Sequence, residues 1–257
     1  MMTASQNAAP HGFRQRFAAG ERLLGTFVKM PTPHPVEILG DVGFDFVVID
    51  EEHAPFDRRA IDIALLAARA ADIAALVRVS SPATILSALD CGAEGVLVPH
   101  VSSVAAAREV AAASRYRDGH RGYSPSGRSG RYGGTASWPY IDAADGKVTV
   151  IAMIEDPSGV EQIAEIARVD GIDGFFVGRG DLSVALGASD ARAPEVTEAV
   201  GKIAEAAKAA GKPFAVMANS REEGDAYAQM GASAFILSTD QGLLRKAAGQ
   251  ILKDFRA

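Results

Sequence analysis

The segment 150–187, VIAMIEDPSGVEQIAEIARVDGIDGFFVGRGDLSVALG, has the pattern of a strand, a helix and a second strand. Its first apolar run, 150–154, ends at Glu155, and its second, 175–177, ends four residues before Asp181. Because parallel strands joined by a helix end at the same edge of a sheet, we expect Glu155 and Asp181 to lie side by side. Paired carboxylates are hard oxygen ligands for a divalent cation. The segment therefore predicts a metal site, with two ordinary strand-end carboxylates as the alternative.

The same alternation of short apolar runs and helical patterns recurs along the chain. Strand-like runs occupy residues 23–30, 45–50, 75–79, 95–101, 148–154, 174–177, 213–217 and 234–237. Helical patterns occupy residues 35–42, 58–71, 83–90, 104–115, 160–167, 194–210 and 242–255. This arrangement predicts an α/β fold of the (β/α)8 TIM-barrel type. A doubly wound open sheet is the alternative, but no Gly-x-Gly-x-x-Gly turn opens the chain as such a fold would favour.

Composition limits the partners and the compartment. The net charge of −6 argues against nucleic acid and anionic membranes as partners. No apolar run approaches the roughly 20 residues that span a bilayer. The single cysteine, Cys91, excludes an internal disulfide framework, so we expect a reducing, cytoplasmic compartment.

The domain organisation follows from the same patterns. We expect residues 1–18 to form a disordered or frayed tail and residues 19–257 to form one barrel domain. Residues 117–140, rich in Gly, Ser, Arg and Tyr, are long for a simple connection. This segment is therefore predicted to be an inserted lid or a loop that contacts another subunit.

Charged side chains follow several predicted strands at the end where TIM barrels carry their active sites. Histidine is the residue type best suited to acid/base chemistry near neutral pH, which makes His53 a candidate, although a capping or loop role is the alternative. Asp50, three residues earlier, is placed to orient the imidazole or to cap the turn. Arg78 interrupts the apolar run ALVRV and needs an anionic substrate or a nearby carboxylate as a partner. Lys29 could form a Schiff base, although a solvated lysine is the commoner case.

Five motifs carry a resemblance to a known family. They are DFVVIDEEHAPFD at 45–57, LVRV at 76–79, LDCGAEGVLVPHV at 89–101, RYRDGHRGYS at 115–124 and Gly-x-x-Asp-Leu-Ser at 178–183. With the Glu155 strand, they resemble the HpcH/HpaI family of metal-dependent (class II) pyruvate aldolases. The resemblance covers about residues 20–255 and preserves the order and spacing of the motifs.

This resemblance implies an activity, a fold superfamily and an assembly. It implies a barrel of the phosphoenolpyruvate/pyruvate superfamily that cleaves a 4-hydroxy-2-oxo acid into pyruvate and an aldehyde through a pyruvate enolate held at the metal. The small-molecule partners are then a 2-oxo acid and an aldehyde, and the cofactor is Mg²⁺, Mn²⁺ or Co²⁺. It also implies a homo-oligomer, usually a hexamer built as a trimer of dimers with a swapped C-terminal helix.

The resemblance also assigns roles to residues. Glu155 and Asp181 become the metal ligands, and Arg78 contacts the keto oxygen of the substrate. His53, oriented by Asp50, becomes the acid/base group. The backbone at Gly180 and Asp181 holds the carboxylate of the 2-oxo acid.

Two residues depart from the family pattern. Met153 stands where the family usually has Gln, which removes a polar group that helps to hold substrate or metal-bound water. Arg179 stands where the family usually has Pro, and we expect it to pair with an extra carboxylate of a diacid substrate or with a carboxylate of the protein. Arg121, in the segment 117–140, is a candidate for holding the far end of an acidic substrate, with a polar subunit contact as the alternative.

Two other functions remain open. An oxaloacetate- or citrate-type lyase, synthase or decarboxylase of the same superfamily would share the enolate intermediate. A barrel that binds a 2-oxo acid without turnover belongs to a different class. Met153 favours the binding protein, whereas His53, Asp50 and Arg78 favour an enzyme.

Overall fold

The computed structural model describes residues 12–256 and contains a closed barrel of eight parallel strands. The strands pair in chain order, and the last pairs with the first. They are β1 (Leu23–Val28), β2 (Phe46–Asp50), β3 (Ala74–Arg78), β4 (Gly95–Val98), β5 (Thr149–Ile154), β6 (Gly174–Val177), β7 (Phe214–Met217) and β8 (Ala232–Thr239). The predicted TIM barrel is confirmed.

Helices surround this barrel. They are α1 (Phe13–Ala18), α2 (His34–Val42), α3 (Arg58–Ala70), α4 (Ile85–Asp90), α5 (Val104–Ser114), α6 (Ser137–Lys147), α7 (Pro157–Glu161), α8 (Ile163–Ile166), α9 (Arg179–Ala185), α10 (Pro194–Ala209), α11 (Arg221–Gln229) and α12 (Asp240–Arg256). Within this described range, no helix has the length and apolar character needed to cross a membrane.

The inside of the barrel is filled by alternate residues of the strands, because successive strand side chains point to opposite faces. Phe27, Val48, Leu76, Met153 and Phe176 belong to this inner cluster. On β2, β3 and β5, the residue two positions after the last apolar residue of the inner face is charged. These charged side chains lie at the C-terminal mouth of the barrel. A second, larger apolar core fills the layer between the outer faces of the strands and the helices.

The prediction of a frayed tail over residues 1–18 is wrong for its last part. Helix α1 closes the N-terminal end of the barrel, and both Phe13 and Phe17 are buried. The rings of Phe13 and Phe46 lie 5.1 Å apart, centroid to centroid. The two phenylalanines fill the floor of the barrel. The residues around them in the sequence are polar, so this helix was not predicted. Residues 1–11 lie outside the described range.

The segment 117–140 ends in the first turn of α6 and packs against its own surroundings. The rings of Tyr116, Tyr123 and Tyr140 lie within 6.1 Å of one another. The Tyr140 hydroxyl donates a hydrogen bond to Ser129 (2.9 Å). A role for this segment as a lid or a subunit contact stays a prediction.

Candidate active site

A buried ion pair links the C-terminal ends of β2 and β3. The register of the two strands places Asp50 directly beside Arg78. Arg78 Nε donates to Asp50 Oδ1 (2.8 Å), Nη2 donates to Oδ2 (2.6 Å), and Lys29 Nζ lies 2.7 Å from Oδ2. Burial acts to raise the pKa of Asp50, but the hydrogen bonds from Arg78 and Lys29 outweigh it and hold the pKa below the usual value. The predicted carboxylate partner of Arg78 is therefore Asp50.

The predicted contact between Asp50 and the imidazole of His53 is wrong. Asp50 Oδ1 accepts the backbone N–H of His53 (3.1 Å), while Arg78 and Lys29 occupy the rest of the carboxylate. The carboxylate that faces the imidazole belongs to Glu52, whose Oε2 lies 3.6 Å from His53 Nε2. Asp50 thus shapes the turn that carries His53, and the ring itself is half exposed at the barrel mouth.

Sequence reasoning missed Glu52, which belongs to the same inner face two residues after Asp50. Its Oε2 lies 3.4 Å from Arg78 Nε, yet this oxygen is buried and makes no hydrogen bond within the described chain. Arg78 also lies over the ring of Phe27, with its Cζ 4.6 Å from the centroid. The Arg78 Nη1 atom makes no hydrogen bond to the described residues, so it is the nitrogen left to contact a ligand.

Glu155 follows β5 at the mouth and is only 2% exposed. Its Oε1 accepts the backbone N–H of His100 (2.9 Å), which adopts a left-handed φ of 53°. Burial raises the pKa of Glu155 to about 7, and the charges of Asp181 and Glu52 act in the same direction. The ring of His100 lies at the mouth too, with Nδ1 3.1 Å from Asp156 Oδ2.

Close backbone packing brings the end of β6 against Glu155. A Cβ added to Gly178 would lie 2.6 Å from Glu155 Oε2 and 2.9 Å from Met153 Cε. Asp181 follows in the first turn of α9, is exposed, and is near enough for its charge to act on Glu155. The packing of Glu155 against the turn that bears Asp181 agrees with the expected proximity, and the role of the two carboxylates as metal ligands stays a prediction.

The donor set at this edge fits a divalent cation. Across residues 12–256, no three His, Cys, Asp or Glu side chains form a complete metal site. Two carboxylates suffice for a cation such as Mg²⁺, which usually keeps waters and takes its other ligands from the substrate. His100 Nδ1 lies 3.6 Å from Glu155 Oε1, and no lysine or arginine of the described residues pairs with this carboxylate, so a bound cation would add positive charge beside it.

Comparisons with known proteins identify the family of the chain. The HpcH/HpaI aldolase/citrate lyase family matches residues 23–247. The chain belongs to this family. It is 34% identical to the 5-keto-4-deoxy-D-glucarate aldolase of Enterobacter sp. (strain 638), covering 98% of this chain and 99% of that protein. The family resemblance and the expected class, a carbon–carbon lyase of the pyruvate aldolase type, are confirmed.

Two solved structures share the fold over nearly the whole chain. A family protein from Burkholderia cenocepacia J2315 has a TM-score of 0.89 and 30% identity, covering 95% of this chain and 98% of that one. The citrate synthase SbnG has a TM-score of 0.87 and 32% identity, covering 95% and 97%.

Arg179, the departure from the HpcH/HpaI pattern in the β6–α9 turn, is not free to bind substrate. Its side chain is 6% exposed, and Nη1 donates to Glu223 Oε1 (2.8 Å). Two partners were expected for Arg179, an extra carboxylate of the substrate or a carboxylate of the protein, and the structure shows the second. Its assignment as a substrate-binding residue is wrong because the guanidinium is buried and already paired.

Arg121 is also unavailable to substrate. Its side chain is 1% exposed, with Nη2 3.2 Å from Asp90 Oδ1 and Cζ 4.4 Å from the centroid of Tyr116. Its assignment as a substrate-binding residue is wrong for the same reason. Met153 is buried in the inner cluster below Glu155, where it supplies apolar contact and no polar group. A contact between Met153 and substrate stays a prediction.

Proposed function

We propose that this HpcH/HpaI family protein is a divalent-metal-dependent aldolase that cleaves a 4-hydroxy-2-oxo acid into pyruvate and an aldehyde. The observation that carries the proposal is the packing of Glu155 against the turn that bears Asp181, at the mouth that also holds Arg78 and His53. The full-length similarity to an enzyme named 5-keto-4-deoxy-D-glucarate aldolase supports a hydroxylated sugar-acid type of substrate.

Glu155 and Asp181 would hold the cation in this proposal. A bound Mg²⁺, Mn²⁺ or Co²⁺ would polarise the keto group and stabilise negative charge that develops on its oxygen. The backbone N–H groups of Gly180 and Asp181 lie in the first turn of α9, where N–H groups have no partner within the helix. They are therefore suited to donate hydrogen bonds to the carboxylate of the 2-oxo acid.

The other groups at the mouth would move the proton and bind the developing charge. His53, directly or through water, takes the proton of the 4-hydroxyl. The C3–C4 bond then breaks, the aldehyde leaves, and the electron pair of that bond forms the enolate of pyruvate. Arg78 donates through Nη1 to the enolate oxygen, and a proton returned to C3 completes pyruvate. General base assistance of this kind contributes about 10²–10⁴-fold to the rate.

Pyruvate release from a panel of 4-hydroxy-2-oxo acids tests the proposal. We expect turnover that a chelator abolishes and that added Mn²⁺, Co²⁺ or Mg²⁺ restores. Full activity in chelator, together with borohydride trapping at Lys29, would instead indicate a Schiff-base aldolase. The ion pair between Lys29 and Asp50 argues against that outcome because it occupies the amine.

A citrate- or oxaloacetate-type reaction is the second candidate. The similarity to the citrate synthase SbnG at 32% identity favours it, because the enolate chemistry is shared. Adding oxaloacetate to the same panel distinguishes the two reactions. Tight binding of a 2-oxo acid with no product from any substrate would identify a binding protein instead.

We also propose that the protein is a homo-oligomer, with a hexamer as the expected form. Beyond Leu243, α12 exposes apolar side chains, including Leu244, Ile251, Leu252 and Phe255. A second copy of the chain would cover this face. Light scattering on the purified protein tests this, and a monomer at micromolar concentration would contradict it.

The free, buried Cys91 is consistent with the proposed cytoplasmic compartment.

A further inference from the structure

Arg179 connects three parts of the barrel mouth. It is the first residue of α9, and its Nη1 donates to Glu223 Oε1 on α11 (2.8 Å). Its Nη2 donates to the carbonyl of Met217 at the end of β7 (2.8 Å). The guanidinium also lies over the ring of Tyr227, with Cζ 4.9 Å from the centroid. The start of α9 is therefore tied to the neighbouring strand and helix.

Glu223 fixes the other side of this connection. Its Oε2 accepts the backbone N–H of Asn219 (2.7 Å), so the carboxylate binds the loop between β7 and α11 as well as Arg179. The hydroxyl of Ser220 accepts the backbone N–H of Glu223 (3.2 Å) and caps the helix that carries it. Because the Asn219 N–H binds the Glu223 carboxylate and Ser220 caps the helix that carries it, this carboxylate is a rigid partner for the Arg179 guanidinium.

Besides Arg179, one side chain of α9 is buried, that of Leu182 in the core outside the barrel. The helix has seven residues, and its buried residues are Arg179 and Leu182. Val184, on the same helix, is 81% exposed. Asp181 lies two positions after Arg179, so the placement of Asp181 depends on how the first turn is held.

The residue type at this position explains why an anchor is needed. A proline at the first helical position fixes φ by its ring and favours the start of a helix. Arg179 lacks that restriction, and its ion pair supplies a constraint from a side chain instead. We propose that the Arg179–Glu223 ion pair is a positioning element that holds Asp181 beside Glu155 for metal binding. The proposal depends on the proposed function, since it assumes that Asp181 is a metal ligand.

The experiment measures Mn²⁺ affinity of the chelator-treated full-length protein by electron paramagnetic resonance, with thermal unfolding in parallel. Glu223→Gln removes the charge and keeps the shape, and we expect about 10-fold weaker Mn²⁺ binding, as for other residues that support metal ligands. At saturating Mn²⁺ we expect kcat to return to the wild-type value. Combining Arg179→Pro with Glu223→Gln should restore the affinity to within about threefold of wild type, because proline constrains the same turn.

A matched control breaks an ion pair of similar burial at the opposite end of the barrel. Arg115 Nη2 lies 2.9 Å from Asp173 Oδ2, and Arg115→Gln should lower the unfolding temperature without changing Mn²⁺ affinity. If Glu223→Gln behaves like Arg115→Gln, the positioning role is overturned. If Glu223→Gln does not fold, the double variant carries the test, and an Mn²⁺ affinity about 10-fold or more below wild type in that variant overturns the proposal. Wild-type protein that binds no Mn²⁺ overturns the proposed function and this inference together.

Discussion

Replacing Gly178 with alanine tests the contact that joins the two candidate metal carboxylates. The new methyl group would meet Glu155 Cβ and Oε2 at 2.6 Å each and Met153 Cε at 2.9 Å. All three distances are far shorter than a normal contact of about 3.5–4.0 Å between carbon atoms. Methionine can rotate away, but Glu155 also bonds to the backbone of His100, so the carboxylate or the β6–α9 turn must move.

The cost follows from the packing of the site. Adding a methyl group to a filled interior destabilises a protein by about 1–3 kcal/mol. In a chain of this size, each kcal/mol lowers the unfolding temperature by about 2–4 °C, so the total decrease is about 2–12 °C. Because the methyl group separates Glu155 from the turn that carries Asp181, we also expect Mn²⁺ affinity to fall by at least about 10-fold.

Thermal unfolding and Mn²⁺ titration measure the two effects. Gly201→Ala is the matched control, because a Cβ at Gly201 meets nothing within 4 Å and the residue lies inside α10. That change should stabilise the helix by about 0.5–1 kcal/mol and leave Mn²⁺ binding unchanged. If Gly178→Ala retains both the unfolding temperature and the Mn²⁺ affinity, Glu155 is not packed against the turn and the geometry proposed for the metal site is refuted.

Three further substitutions test separate parts of the molecule. Asp50→Asn leaves Arg78 and Lys29 without their counter-charge and should cost about 3–5 kcal/mol in urea unfolding at pH 7. Because the pKa of Asp50 is lowered in the folded state, this stabilisation is fully present above the unfolded pKa of 3.8 and is lost as the pH falls through the folded pKa, so the deficit should shrink as the pH falls below 3.8. His53→Ala should lower kcat about 10²–10⁴-fold with unchanged Mn²⁺ affinity, and a loss of Mn²⁺ binding would contradict its role as a base. Phe17→Ala should cost about 3–5 kcal/mol in the same urea assay, whereas an unchanged midpoint would mean that α1 does not close the barrel.

Apolar periodicity predicted the strands, because each strand of a parallel barrel is buried on both faces and forms a continuous apolar run. The same reasoning could not find α11, whose sequence REEGDAYAQ is polar and whose one buried residue is Gly224. It also missed α9, because the sequence Gly-Arg-Gly-Asp is typical of a turn. In both helices a few tertiary contacts outweigh a weak local signal.

At the site, the sequence predicted which residues would gather but not all of their partners. Asp50, Arg78 and Glu155 occupy inward-facing positions, which alternate every second residue along a strand. This alternation can be read from the sequence without tertiary information. Arg179 and Arg121 were assigned to substrate by their charge alone. Their carboxylate partners lie 44 and 31 residues away in the sequence, on elements whose proximity only the fold establishes.

The charges at the barrel mouth give an independent argument for the cation. The register of β2 and β3 pairs Asp50 with Arg78, and Lys29 binds the same carboxylate, while Arg78 Nε also lies 3.4 Å from Glu52 Oε2. With Glu52, Glu155 and Asp181, four carboxylates then face Arg78, Lys29 and the imidazole of His100. Glu155 is the buried one of the three added carboxylates, and a buried carboxylate is unfavourable unless it is paired or binds a metal. A divalent cation would balance this negative charge, and it would also let an anionic 2-oxo acid approach a mouth that otherwise repels it.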